Sequence, residues 1–335
     1  FGNLPVFGAT TFPEPNWDRG MAMEVVKATD TQPTLADWLR LARAGDNAAL
    51  LESITDIQSA GQLPAPAVDY LVFSFTVGLS DLDAKSVDSQ VLVALSQYEP
   101  QTLVAHDDNA RVGIPLFNVR AAAAGVQHAW ERQQGGRQAL RLDRGNHALW
   151  IKRYQDASPA ARRGFMDSLE TTSEDQAQAL GWAAVEALAQ NPGLTMAAAT
   201  AGIRADDSEL VWQAIRSGDA GDLPAVLRAV STHFDASTCS ELLNRSFELE
   251  SNAKKALVIA QLGPAAISEP AAQDALFEAL GSRELGAGAA LVLSRSSDAM
   301  VMQRLDDIAE KNQGLARQRA TLAINLRSQA AGSVQ

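Results

Sequence analysis

Helix starts recur at near-equal spacing in the C-terminal half of this 335-residue chain, near Asp206, Ala236, Ser268 and Ser297, at intervals of 30, 32 and 29 residues. Each interval holds two amphipathic stretches joined by a short turn. The second stretches align as Lys255-Ala-Leu-Val-Ile-Ala-Gln261, Ala289-Ala-Leu-Val-Leu-Ser-Arg295 and Arg319-Ala-Thr-Leu-Ala-Ile-Asn325. A helical hairpin of this length cannot cover its own apolar faces. Stacking on the next hairpin covers them, and the product is a solenoid.

The residues available for a core agree. Hydrophobic residues make up 46% of the chain but aromatics only 6%. Alanine and leucine with few aromatics favour close helix–helix packing over sandwiches or barrels. The length suits about two domains. Residues 1–33 lack helical periodicity and are rich in Pro and Gly, so they read as an extended arm, with Phe7, Phe12 and Trp17 as anchors. Residues 34–134 read as helical. One helix is expected to start at the N-cap Thr34 and to stop at Gly45, and a second runs from Asp46 to Gly61. Val68–Val77 has the β-branched and aromatic content of a buried strand, but its helical neighbours make it a buried helix. A further helix is expected over Ser86–Tyr98.

Residues 135–157 interrupt the pattern. Two short alternating runs, Gln138–Leu142 and His147–Ile151, flank a Gly-containing turn and read as a β-hairpin insertion, with a helix broken at Gly145-Asn146 as the alternative. From 158 to 335 the helical signals return. Ser158-Pro159 is a cap followed by proline at the first helical position, and Ser173-Glu-Asp-Gln176 is a capping box. Asn191-Pro-Gly193 closes the helix between.

The repeated hairpins of 158–330 resemble HEAT-type repeats. Pro115-Leu-Phe-Asn-Val-Arg-Ala-Ala-Ala-Ala-Gly-Val126 resembles the second helix of such a repeat, where Val-Arg precedes small residues. The sequence lacks the usual proline of the first helix, and its units are shorter than typical ones. The tetratricopeptide pattern of Trp, Gly, Tyr and Pro positions is missing. The resemblance implies an all-α fold, a right-handed α-α superhelix with the extended arm and the small hairpin as additions. It also implies a binding surface for another protein or peptide.

Charge narrows the partners. The net charge is −12; residues 1–150 hold 11 Lys and Arg against 17 Asp and Glu, and residues 151–335 hold 17 against 23. Both halves repel phosphate backbones and anionic lipid, so no nucleic acid is expected as partner. No run of apolar residues is long enough for a membrane span. The first residue is Phe1, which fits a processed envelope or periplasmic protein of bacterial type, or a trimmed cytoplasmic chain.

No cofactor or metal motif stands out. Cys239 is the single cysteine, so it forms no internal disulfide, and it reads as a small buried residue. Ser251-Asn-Ala-Lys254 matches the Ser-x-x-Lys of serine β-lactamases, but Ser251 sits where a helix cap belongs and the companion motifs are missing. His106-Asp-Asp-Asn109 lacks the spacing of a calcium loop. Asp306, Asp307 and Glu310 share a helix face with Arg304 and Lys311 beside them, a solvated face and no acid–base pair. Asn244-Arg-Ser246 is a sequon inside a helix.

One cluster stands apart from an acidic, aromatic-poor chain. His128, Trp130, Arg132, Arg137, Arg141, Arg144, His147 and Trp150 gather basic and aromatic residues around the expected hairpin, and Arg and Trp often anchor interfaces. The competing reading puts both tryptophans in the core and the arginines in water. Three functions follow as expectations: a non-catalytic scaffold binding protein or peptide; an enzyme or small-molecule binder with a pocket between the N-terminal helices and the hairpin; an assembly subunit docking through its arm.

Overall fold

The structure, a computed structural model, describes residues 13–59, 61–141 and 145–332. These form eighteen α-helices and one two-stranded antiparallel sheet, so the fold is all-α with a small β insertion. The chain divides into two compact units. The first comprises residues up to Gly135 together with Ser158–Gly164, and the second Gly136–Ala157 together with Phe165 onward.

The first unit is built on α4 (Ala65–Gly78), against which α1 (Arg19–Ala28), α2 (Gln32–Ala44) and α3 (Asn47–Ser59) pack. The segment of α4 with strand-like composition is therefore helical. Pro66 falls in its first turn, where no N–H is needed, and Leu71, Val72 and Phe75 are fully buried. Trp38 meets Phe75 edge-on at 5.5 Å, and its indole N–H donates to Ser53 Oγ at 2.8 Å. Helix α2 begins at Gln32, with Thr31 in the cap position, two residues before the expected Thr34. The first turn tolerates Pro33, so proline does not delay the start. Gly45 ends α2 with φ +76°, a conformation that favours glycine. Helix α5 (Ser89–Ser96) starts from Asp88, later than expected at Ser86.

The β-hairpin exists, but not where the alternating runs placed it. Strands β1 (Leu103–His106) and β2 (Asn109–Pro115) form it. Residues 138–141 belong instead to α6 (Val119–Arg141), and His147–Ile151 to α7 (His147–Asp156). The reason is visible at Gly135. A Cβ there would collide with the Ala161 carbonyl, so the glycine serves a close helix approach and not a turn. The expected turn residues Leu142, Asp143 and Arg144 lie outside the described residues, as do Phe7 and Phe12.

The described part of the arm runs along the β-hairpin. Gly113 N donates to Pro13 O at 2.7 Å, and Asn16 N and Trp17 N both donate to Leu103 O. The Asn16 amide donates to Gln101 O at 2.9 Å and its Oδ1 accepts from Leu103 N at 2.8 Å. Only a residue without Cβ fits at Gly113, because one would lie 2.8 Å from the Glu14 carbonyl carbon.

Beneath this layer lies the fully buried carboxylate of Asp69. It accepts from Tyr98 O–H at 2.5 Å, Thr102 N at 2.7 Å and Gln101 N at 3.2 Å. Burial, and then the Asp69 contact, pushes the Tyr98 phenol up, so it stays protonated and donates. We expect Asp69→Ala to cost about 3 kcal/mol, since it strands two buried donors and a third that is partly buried. Chemical denaturation of the two proteins measures this, and a difference below about 1 kcal/mol contradicts the role assigned to Asp69.

The second unit carries the array. After α7 and the end of α8 (Pro159–Leu169), hairpins follow in order. Their first helices are α9 (Glu174–Ala187), α11 (Ser208–Ser217), α13 (Ala236–Ser246), α15 (Pro270–Ala279) and α17 (Ala299–Lys311). Their second helices are α10 (Thr195–Arg204), α12 (Leu223–His233), α14 (Asn252–Ala266), α16 (Gly286–Leu293) and α18 (Gly314–Gly332). Each second helix packs on the next, α10 on α12 through to α18, and the first helices α9, α11, α13 and α15 pack likewise. Buried residues from Ala139 to Ala323 join in one continuous core. The starts match the sequence signals within a residue or two. Asp207, Asp235, Ser251 and Asp298 cap α11, α13, α14 and α17 with their side chains.

Two cations lock hairpins together. Lys254 Nζ of α14 donates to the carbonyls of Ile215, Arg216 and Gly218 at the end of α11, at 3.2, 2.9 and 2.7 Å. The Arg319 guanidinium of α18 donates to the carbonyls of Leu280, Ser282 and Arg283 at the end of α15. Both reach back across the same sequence separation, 36 to 39 residues. Each meets carbonyls at the negative end of a helix. We expect Lys254→Ala to cost about 1–2 kcal/mol, and Lys255→Ala, whose side chain bonds to nothing, to cost under about 0.5 kcal/mol. Thermal or urea unfolding of the pair is the check; equal losses contradict it.

Candidate functional site

The basic and aromatic cluster is distributed by the fold. On α6, His128 is exposed, whereas Trp130 is buried in the first unit and its indole N–H donates to Leu79 O at 3.0 Å. Arg137 is half-buried and Arg141 exposed; both follow Gly135 and belong to the second unit. Arg144 lies outside the described residues. His147 and Trp150 stand on α7, whose first turn is capped by Asn146 Oδ1 accepting from Leu149 N at 3.0 Å. Trp150 stacks on Tyr154 at 5.3 Å and meets Phe165 edge-on at 5.2 Å. The two tryptophans thus serve two separate cores.

His147 and Trp150 do share a cleft, within the second unit. Ala139, Leu140, Leu169 and Leu180 complete its apolar wall around a small cavity of about 50 Å³ that opens to solvent. Its polar edge combines the hydroxyls of Ser168, Thr171 and Thr172 with Asn146, His147 and Gln176. Ser168 Oγ–H donates to Phe165 O at 2.6 Å, and the Thr171 and Thr172 hydroxyls both donate to Ser168 O at 3.0 Å. Those protons are committed to backbone, so the hydroxyl oxygens face a ligand as acceptors. Gln176, also lining the cleft, has a buried Oε1 with no donor. Such a site suits a small apolar group bearing a neutral N–H or O–H.

A larger surface went unread in the sequence. Helices α9, α11, α13, α15 and α17 hold ten Asp and Glu, whereas α10, α12, α14, α16 and α18 hold none. Ion pairs cross between first helices, Arg245 to Glu209 at 2.7 Å and Arg304 to Asp274 at 2.5 Å. The second row also exposes large apolar side chains: Leu291 on α16 and Leu322 on α18 are 44% and 43% exposed. Tallying charge helix by helix would have shown the alternation; tallying it by halves averages it away.

No protein-family model matches the chain, and neither a curated protein nor a solved structure does.

The short motifs resolve into structure. Ser251 Oγ accepts from Lys254 N, so Ser-x-x-Lys is a helix cap and an inter-hairpin lock, with burial pulling the Lys254 amine down. Cys239 is buried, and desolvation, followed by Asp235, pushes its thiol up, away from the reactive thiolate. His233, its nearest histidine in sequence, faces Asp206 at 3.3 Å. The backbone N–H of Asp108 donates to His106 Nδ1 at 3.1 Å, an ordinary turn contact. Lys311 binds Asp307 at 2.5 Å, as expected of a solvated face. No group of three or more His, Cys, Asp or Glu among the described residues is placed to hold a metal ion. No helix among them is long and apolar enough to cross a membrane.

Proposed function

We propose that this protein is a non-catalytic scaffold that binds another protein or a peptide along its stacked second helices. One observation carries the reading: five second helices pack in sequence order into a continuous row with exposed apolar positions at Leu291 and Leu322. Helical arrays of the HEAT type, which the hairpins resemble, use such rows as extended binding surfaces. The test places a photo-crosslinking amino acid at Leu291, at Leu322 and, as control, at Asp306 on the first-helix row, in the cells that make the protein. A discrete heavier adduct is expected from the first two positions and not from the control. Absence of adducts at every position removes the reading.

The cleft beside Trp150 supports a second reading, a small-molecule site confined to the second unit. Its three committed hydroxyls and the orphaned Gln176 Oε1 favour a donor-bearing ligand. Indole is expected to shift the amide resonances of Thr172 and Gln176, and N-methylindole, which lacks the donor, to bind several-fold more weakly. Leu140→Trp, filling the cleft, abolishes both. Equal binding of the two compounds contradicts the donor requirement.

A further inference from the structure

We infer that the segment carried by the second-helix row is an acidic polypeptide with interspersed apolar side chains. This rests on the scaffold reading and adds the chemistry of the occupant. The chain contains 40 Asp and Glu against 28 Lys and Arg, yet every carboxylate is excluded from α10, α12, α14, α16 and α18. The nearest ones in sequence, such as Asp222, Glu250 and Glu284, sit in the turns before these helices.

The cations of the row divide into two kinds. Arg204 faces Glu174 at 3.7 Å, Lys254 and Arg319 hold helix ends, and the Arg327 guanidinium donates to Ser296 O. Those four serve the fold. Arg228 on α12, Lys255 on α14 and Arg317 on α18 do not: their side chains form no hydrogen bond or ion pair, with Arg228 and Arg317 exposed and Lys255 half-buried. Arg295, just past α16, is likewise exposed. On the first-helix row three of the four cations, Arg245, Arg304 and Lys311, pair with carboxylates, and Arg216 stands on a row that carries ten Asp and Glu. A charge left without a partner on a row cleared of carboxylates is not neutralised by its surroundings, so it acts on whatever approaches.

Spacing selects the kind of acidic polymer. Packed helices lie about 8–10 Å apart, so one cation per hairpin matches one carboxylate every third residue of an extended chain rising about 3.3 Å per residue. Duplex DNA presents one phosphate per strand about every 3.4 Å of helix axis, which this row leaves mostly unmatched. The apolar positions Leu291 and Leu322 also call for side chains that phosphate polymers lack.

Fluorescence anisotropy on the full-length protein tests this. The probe is a labelled peptide of roughly 20 residues in which Glu and Leu recur at every third position; a second peptide carries Lys for Glu. Tight binding of the acidic peptide alone is expected, weakening with salt and falling at least about tenfold in Arg228→Glu/Lys255→Glu/Arg317→Glu. These side chains form no hydrogen bond or ion pair, so the triple variant is expected to stay folded with a melting temperature near that of the parent, and Leu291→Ser/Leu322→Ser provides an independent loss. Four results overturn the inference: equal binding of acidic and basic peptides, indifference to the charge reversal, tighter binding of single-stranded DNA or phosphatidylserine vesicles, or a doubled mass that the same reversal abolishes. Charge indifference alongside intact crosslinks at Leu291 and Leu322 removes the acidic partner but leaves the scaffold standing.

Discussion

A short helical hairpin has more apolar surface than it can cover, and that constraint organises the second unit. Each second helix here finds cover on the next one, so the rows grow by nearest-neighbour contact and not around a single centre. Close approach makes the cover possible. Glycine at 263 admits Val292, and glycine at 202 admits Val211; a Cβ at either would lie 2.9 and 2.8 Å from those side chains. Helix α10 shows the limit of this economy, because Ala197, Ala198, Ala199 and Ala201 are all buried. A chain with 6% aromatics reaches interior density by bringing backbones together instead of filling gaps with rings.

Apolar packing alone leaves helix ends unsatisfied, and the stack answers with cations borrowed from the next hairpin. Lys254 and Arg319 each close three carbonyls of a helix that is not their own, across an identical stretch of sequence. Each therefore ties the alignment of two hairpins to a polar requirement that sliding would break. The first unit solves a similar problem with Asp69, whose carboxylate gathers the loop before β1 onto α4. In both cases a buried or half-buried charge is tolerated because backbone groups saturate it.

Much of this was legible beforehand. The repeat interval, the Asp and Ser caps and the Gly45 stop follow from local chemistry, so they read correctly from residues alone. The buried helix at Val68–Val77 followed from context, since an isolated strand has nothing to pair with. The β-hairpin was misplaced because alternation at 138–142 arises equally on a long helix with mixed faces, and because the true strands depend on distant residues. Pro13 and Asn16 hold β1 and β2 from about ninety residues away in sequence, a pairing no window can show. The site was less legible still. His128 to Trp150 cluster in sequence, but a helix winds Trp130 into one core while Trp150 joins another.

The charge alternation adds what net charge cannot show. An overall −12 describes the far field, in which the chain repels anions. The second helices themselves carry arginine and lysine and no carboxylate, and within the roughly 8 Å screening length of physiological salt such charges act with little screening. The two descriptions conflict only if charge is treated as a property of the molecule and not of its faces. The occupant proposed above fits this arrangement: a tethered or locally concentrated acidic segment would meet the row at short range, whereas dispersed polyanions meet the acidic far field. The paired cations of the first row cannot share that task, because Glu209 and Asp274 already occupy them.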